Sequence, residues 1–196
     1  MDYVRVETTG NLNNARLCII STGPEGMARG DTRMAVGLAA RKLMPSPARI
    51  RLQNKYRGLQ LAGFIGNTPG YLIFNSIGRA IIEKACVGQK IEYLPFELIN
   101  HKGRVHSTDY ALINPVGGFD ALNEEASTIS RAATDGRILD VPVIVLDTRK
   151  LEDAPPLFRL AQKPTVYVMS EALIDEFKAA KVDNLAYRHL PQRPGT

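Results

Sequence analysis

Tryptophan is absent from this chain of 196 residues, and cysteine is scarce. Cys18 and Cys86 lie far apart and form no CxxC or other ligand spacing, so zinc-ribbon and dithiol redox classes are excluded. Both sit on apolar stretches and read as buried free thiols of a reducing compartment. Histidine is limited to His101, His106 and His189, and no carboxylate or cysteine completes a ligand set around them, so they read as surface residues. No run approaches the ~18 apolar residues of a membrane span. The opening stretch MDYVRVETTG lacks the apolar core of a secretory leader. The expectation is a cytoplasmic protein with no membrane contact. The chain also has no GxGxxG, no Gly-Lys-Ser/Thr, no GxSxG and no HExxH. No catalytic, metal-ligating or cofactor-binding residue is assigned, and the protein is expected to be non-enzymatic and without a cofactor.

What is present suits one globular domain over residues 1–196: 44% hydrophobic and 23% charged residues exclude a disordered chain. The predicted class is α+β, a mostly antiparallel sheet with a few packed helices. Its centre is the stretch Lys90–Pro115, which reads as a hairpin. Ile91–Ile99 carries apolar residues on both faces, as in a strand covered on both sides. Asn100–Gly103 makes the turn, and Val105–Asn114 returns. Asp109 inside such a strand needs a partner. Arg159, set in the apolar run Leu157–Leu160, either supplies that partner or caps backbone carbonyls.

Around the hairpin, Tyr71–Phe74 is an apolar strand that feeds a helix capped by Asn75 or Ser76, with Ile77, Ile81 and Ala85 on one stripe. Val166–Met169 is a strand, and Ser170 caps a helix that buries Leu173, Phe177 and Ala180. A short helix from Asp31 to Leu43, with Met34 and Leu38 on one face, is stopped by Pro45 and Pro47. Ala121–Ala133 reads as a weak helix, Asp140–Leu146 as a strand with Pro142 at an edge, Leu185–Leu190 as a last strand, and 191–196 as a frayed tail.

The charge is uneven. Residues 27–60 hold Arg29, Arg33, Arg41, Lys42, Arg49, Arg51, Lys55 and Arg57 among the cations, within a net charge of +5. Two readings stay open: a surface for an acidic partner or a phosphate backbone, and a solvated, irregular region whose charge aids solubility. The segment has little interleaved aromatic character and no RNA-binding, helix-turn-helix or zinc-finger pattern. The candidate partner-binding residues are Arg33, Arg41, Arg49, Arg51 and Arg57; Arg41, Arg49, Arg51 and Arg57 also carry the alternative reading, a nucleic-acid-binding module.

Several short motifs recur in a fixed order: Leu61–Gly70 ahead of Ile73–Ala85, then Glu92-Tyr93-Leu94-Pro95, Asp109-Tyr110 and Asn114-Pro115. Ser127 leads to Val143–Asp147, then Leu157-Phe158-Arg159-Leu160 and Ser170-Glu171-Ala172-Leu173 follow. In this order the chain resembles, over residues 59–190, a family of bacterial immunity proteins of polymorphic toxin systems. The resemblance implies a non-enzymatic protein that binds a cognate toxin domain, encoded by a neighbouring gene, and occludes its active or substrate site. It carries no catalytic residue across and leaves residues 1–58, with the basic segment, uncovered. That segment is therefore where partner specificity is expected.

Overall fold

The computed structural model describes residues 2–27 and 33–195. Its first strand, β1 (Tyr3–Glu7), is followed by β2 (Ile19–Ile20), a 3-10 turn (Arg41–Leu43), β3 (Arg49–Arg51) and β4 (Gly66–Asn67). Strand β5 (Leu72–Asn75) leads into helix α1 (Ser76–Ala85). Asn75 caps that helix, its side chain accepting from Gly78 N at 3.0 Å. The predicted stripe holds at Ile81 and Ala85, which pack partly buried against the core beside the fully buried Ile82, and fails at Ile77, which is exposed while Gly78 faces inward. The reason is contact distance, since a Cβ on Gly78 would lie 2.6 Å from the Phe74 ring.

The hairpin is there, but it is broken. Strands β6 (Ile91–Pro95), β7 (Glu97–Ile99), β8 (Val105–Ser107) and β9 (Tyr110–Pro115) form two successive ladders, β6 with β9 and β7 with β8. Pro95 brings no N–H to a ladder, and the interruption falls at Phe96, opposite Thr108 and Asp109. The two ladders then belong to different sheets, β5-β9-β6 and β3-β7-β8.

The region after residue 120 departs from expectation. The weak helix at 121–133 is absent; Thr128–Arg131 is strand β10, paired with β11 (Ile138–Val143), and only a short β12 (Leu146–Asp147) follows. The β-branched Thr128 and Ile129 suit a ladder better than a helix. Strand β13 (Leu157–Leu160), β14 (Lys163–Ser170), helix α2 (Glu171–Ala179) and β15 (Ala186–His189) come next. Ser170 caps α2 by accepting from Leu173 N at 3.3 Å, and Leu173, Ile174 and Phe177 are buried. The tail is not frayed over its length: β16 (Gln192–Arg193) pairs parallel with β12, and Gly195 N donates to Asp147 Oδ1 at 3.0 Å.

A four-stranded antiparallel sheet, β13-β14-β1-β15, places the N-terminal strand between strands of the last third of the chain. Parallel pairing is confined to the short contacts β2–β4, β3–β7 and β12–β16 among the described strands. The fold is α+β, a single compact domain.

Two of the sheets act as partitions between three cores. In β9, Ala111 and Ile113 enter the central core with Leu72, Phe74 and both helices, while Tyr110 and Leu112 enter a second core with Ile50, Ile73 and Leu98. The two-sided cover expected of Ile91–Ile99 is met beside it: Ile91 and Tyr93 pack, partly buried, on the central core, and Leu94, Phe96 and Leu98 enter the second. In β14, Tyr167 and Met169 face the central core while Val166 and Val168 face a third core with Phe158 and Leu122. Phe74 stacks on Phe177 at 4.9 Å between ring centres, joining the strand that precedes α1 to helix α2.

Candidate partner-binding surface

The basic segment covers the second core, and its two halves are held differently. Among the described residues of the first half, 33–35 are α-helical; Gly37 at φ +72 ends the turn, and the chain runs on to the 3-10 turn at 41–43. The predicted helix 31–43 is therefore not continuous, and its expected start, Asp31, lies outside the described residues. Leu38, expected beside Met34 on a buried face, is 46% exposed, as Leu43 is, and Val36 is 42% exposed. Met34 alone of these enters the second core.

A buried polar chain fixes the first half from the backbone side. Arg159 is 1% exposed, and its guanidinium has no carboxylate partner among the described residues. Nη2 donates to Met34 O (2.6 Å), Asn114 Oδ1 (3.2 Å) and Tyr167 Oη (2.6 Å). Nη1 donates to Ala35 O (3.1 Å) and Pro164 O (2.7 Å), and Nε to Pro115 O (3.1 Å). The guanidinium carbon lies 4.1 Å from the Tyr167 ring centre. Burial lowers the Arg159 pKa from its ordinary value, with Tyr167 opposing, yet a guanidinium remains charged in a protein. Its charge is met by carbonyl dipoles, the second of the two roles considered for it. The other role falls: Asp109 is exposed in the break between β8 and β9 and is not its partner.

The chain continues outward. Asn114 Nδ2 donates to Leu38 O (3.1 Å) and to Glu92 Oε2 (2.9 Å). Glu92 accepts in addition from Ala40 N (2.8 Å) and Arg41 N (3.1 Å), which anchors the start of the 3-10 turn. Arg159, Asn114 and Glu92 thus hold five backbone groups between Met34 and Arg41, while Met34 and Ala40 point into the second core and Val36, Leu38 and Arg41 stay exposed. Arg33 uses Nε on Ala39 O at 3.2 Å, and Arg41 uses one Nη2 donor on Tyr93 O at 3.3 Å. Neither has a carboxylate partner among the described residues.

In the second half, β3 alternates Arg49 out, Ile50 in, Arg51 out, with Ile50 fully buried. Both arginines are occupied: Arg49 Nε lies 2.8 Å from Glu97 Oε2, and Arg51 is paired with Glu25. Arg57 is exposed in the loop that follows.

Two open clefts flank Arg41. One, of about 430 Å³, lies between Met44–Ala48 on one wall and Leu94–Phe96 on the other, with Glu97 and Thr108 also at its edge. The other, of about 540 Å³, is lined by Arg33, Ala39, Lys42, Leu43 and Glu92. Of the five predicted residues, Arg33 and Arg41 are brought together at these clefts; Arg49, Arg51 and Arg57 line neither. Reasoning from sequence missed Lys42, Leu43 and the walls at 44–48 and 94–96. The prolines at 45 and 47 were the available signal for the first wall, since they keep that stretch out of a ladder; the second wall is the end of β6, where Pro95 is its last residue.

Elsewhere His106 Nε2 is 2.9 Å from Leu59 O and His189 Nδ1 is 2.8 Å from Glu171. Cys18 and Cys86 are free, buried and held at a pKa of about 11 by burial. No helix among the described residues is long and apolar enough to cross a membrane. No protein-family model matches the chain, and no curated protein matches it.

Proposed function

We propose that the protein is a non-enzymatic immunity protein that binds a cognate bacterial toxin domain and occludes its active or substrate site. The order of motifs over residues 59–190 supports the toxin part of this reading. One structural observation carries the binding part: Arg33, Arg41 and Lys42 stand outward among exposed Val36, Leu38 and Leu43, on a backbone pinned from beneath by Arg159, Asn114 and Glu92. A preorganised surface of cations and apolar side chains suits a protein partner, because little ordering is left to do on association. The product of the adjacent reading frame is expected to co-purify with the chain, and co-expression is expected to protect cells from it. No complex and no protection would end this reading.

The nucleic-acid alternative draws on Arg41, Arg49, Arg51 and Arg57. Arg49 and Arg51 already face carboxylates, which lowers what they offer a phosphate backbone.

A further inference from the structure

We infer that the cleft between Met44–Ala48 and Leu94–Phe96 is the anchor site for the partner: it takes an apolar side chain from an exposed acidic segment of a protein, with Arg41 bonding a carboxylate beside that side chain. The inference rests on the binding function proposed above and adds the place and chemistry of the contact.

The apolar part of the case is the lining. Met44, Pro45, Pro47, Leu94, Pro95 and Phe96 supply walls that are open at the top, in a volume of about 430 Å³. That is within the ~300–1,000 Å³ of sites that bury a small ligand or an inserted side chain. The prolines offer no N–H, so an incoming chain has few backbone donors to pair with on these walls and must engage through its side chains.

The charge part is the fate of the acids. Among the described residues Glu97 is the one carboxylate in this cleft's lining, and Arg49 holds it at 2.8 Å. Glu92 lines the cleft across Arg41, and its oxygens accept from Ala40 N, Arg41 N and Asn114 Nδ2. Both acids are tied off by internal donors. Arg41 bridges the two clefts with one guanidinium donor used and its backbone fixed, and Arg33 and Lys42 line the far side. Among the described residues Arg33, Arg41 and Lys42 outnumber Glu92 around the rim, and Glu97 is matched by Arg49, so the complementary occupant is acidic. A segment running from one cleft across Arg41 to the other meets apolar floor at each end and cations between.

Two other polyanions fit less well. Neither cleft presents an exposed aromatic face for base stacking, Phe96 being buried to 4%. A lipid surface is planar, whereas these sites are concave.

The test uses the full chain and, as probe, the protein encoded by the adjacent reading frame, with overlapping 15-residue peptides of its sequence. Arg41→Glu reverses the bridging charge, Thr108→Trp fills the cleft from an exposed rim position, and Lys84→Glu on α1 is the control. Unfolding curves establish that each variant is folded. Arg41→Glu and Thr108→Trp are each expected to weaken the complex at least about tenfold, Lys84→Glu to leave it unchanged, and the best peptide to be acidic around an apolar residue. Wild-type protein that forms no complex overturns the binding function and this inference together. A wild-type complex insensitive to both cleft variants overturns the inference alone. Arg41-dependent binding of a 30-mer oligothymidylate or of anionic vesicles, with no acidic peptide bound, overturns it in favour of those partners.

Discussion

The two halves of the basic segment read alike in sequence and have opposite fates in the fold. In residues 33–42 the core takes hold of the backbone: Met34 O, Ala35 O, Leu38 O, Ala40 N and Arg41 N are bound by Arg159, Asn114 and Glu92. In residues 49–51 the backbone is absorbed by the β3–β7 ladder and the side chains are absorbed as well, Arg49 by Glu97 and Arg51 by Glu25. Arg33 and Arg41 each spend one guanidinium donor on a carbonyl and keep their charge for a partner, whereas Arg49 and Arg51 already face a carboxylate. Counting arginines cannot reveal that difference, whereas the identity of the groups facing them does.

The contrast is most severely broken by Arg159→Met. Several carbonyls lose their donor inside the fold, and unfolding free energy is expected to fall by at least about 3 kcal/mol in denaturant titration. The two cysteines report where the damage lies. Burial keeps both thiols at about 11, so labelling by a disulfide reagent at pH 8 proceeds through opening. Cys18 belongs to the second core under the basic segment and Cys86 to the central core. In the variant Cys18 should label faster by a larger factor than Cys86; equal acceleration would mean the clamp is not local.

Ile50→Ala attacks the other half. Removing a fully buried side chain from the second core is expected to cost about 2–4 kcal/mol and to loosen β3 while the Arg159 bonds persist. Glu92→Gln is smaller, about 1–2 kcal/mol, because the amide cannot accept with both ends as the carboxylate does. Its signature is faster amide exchange at Ala40 and Arg41 with β3 unaffected. Glu97→Gln should cost less than about 1 kcal/mol, since the exposed pair contributes little. It frees Arg49, so the variant should elute from heparin at higher salt than wild type; unchanged elution would show that Arg49 was already available.

Much of the fold was legible where local rules and burial agree. Asn75 and Ser170 cap the two helices as their positions suggest, and the apolar residues on both faces of Ile91–Ile99 announce a stretch covered on both sides, Ile91 and Tyr93 against one core and Leu94, Phe96 and Leu98 in another. The failures share a cause. Thr128–Arg131 became strand because the next element, β11, folds back on it, and 192–193 became strand because the distant β12 lies beside it; a ladder partner decides both, and local helical spacing does not reveal it. At the candidate site, Arg33 and Arg41 were identified, but the paired state of Arg49 and Arg51 depends on Glu97 and Glu25, brought in by other elements. Arg159 was recognised as a carbonyl cap or an acid's partner, and only the position of Asp109 outside the core decides between them.

Strand β1 has a consequence for how the molecule is made. Its ladder partners are β14 and β15, so Val4 and Val6 have no strand to join until the chain has grown past Ser170, and the sheet is complete only past His189. The central core stays open over that interval, and the contacts that complete it join residues more than 160 positions apart. Such long-range pairing makes for slow, late folding and a nascent chain with exposed apolar strands. Closure of the central core is therefore expected to wait for β14 and β15, with chaperone demand concentrated in the interval before they emerge.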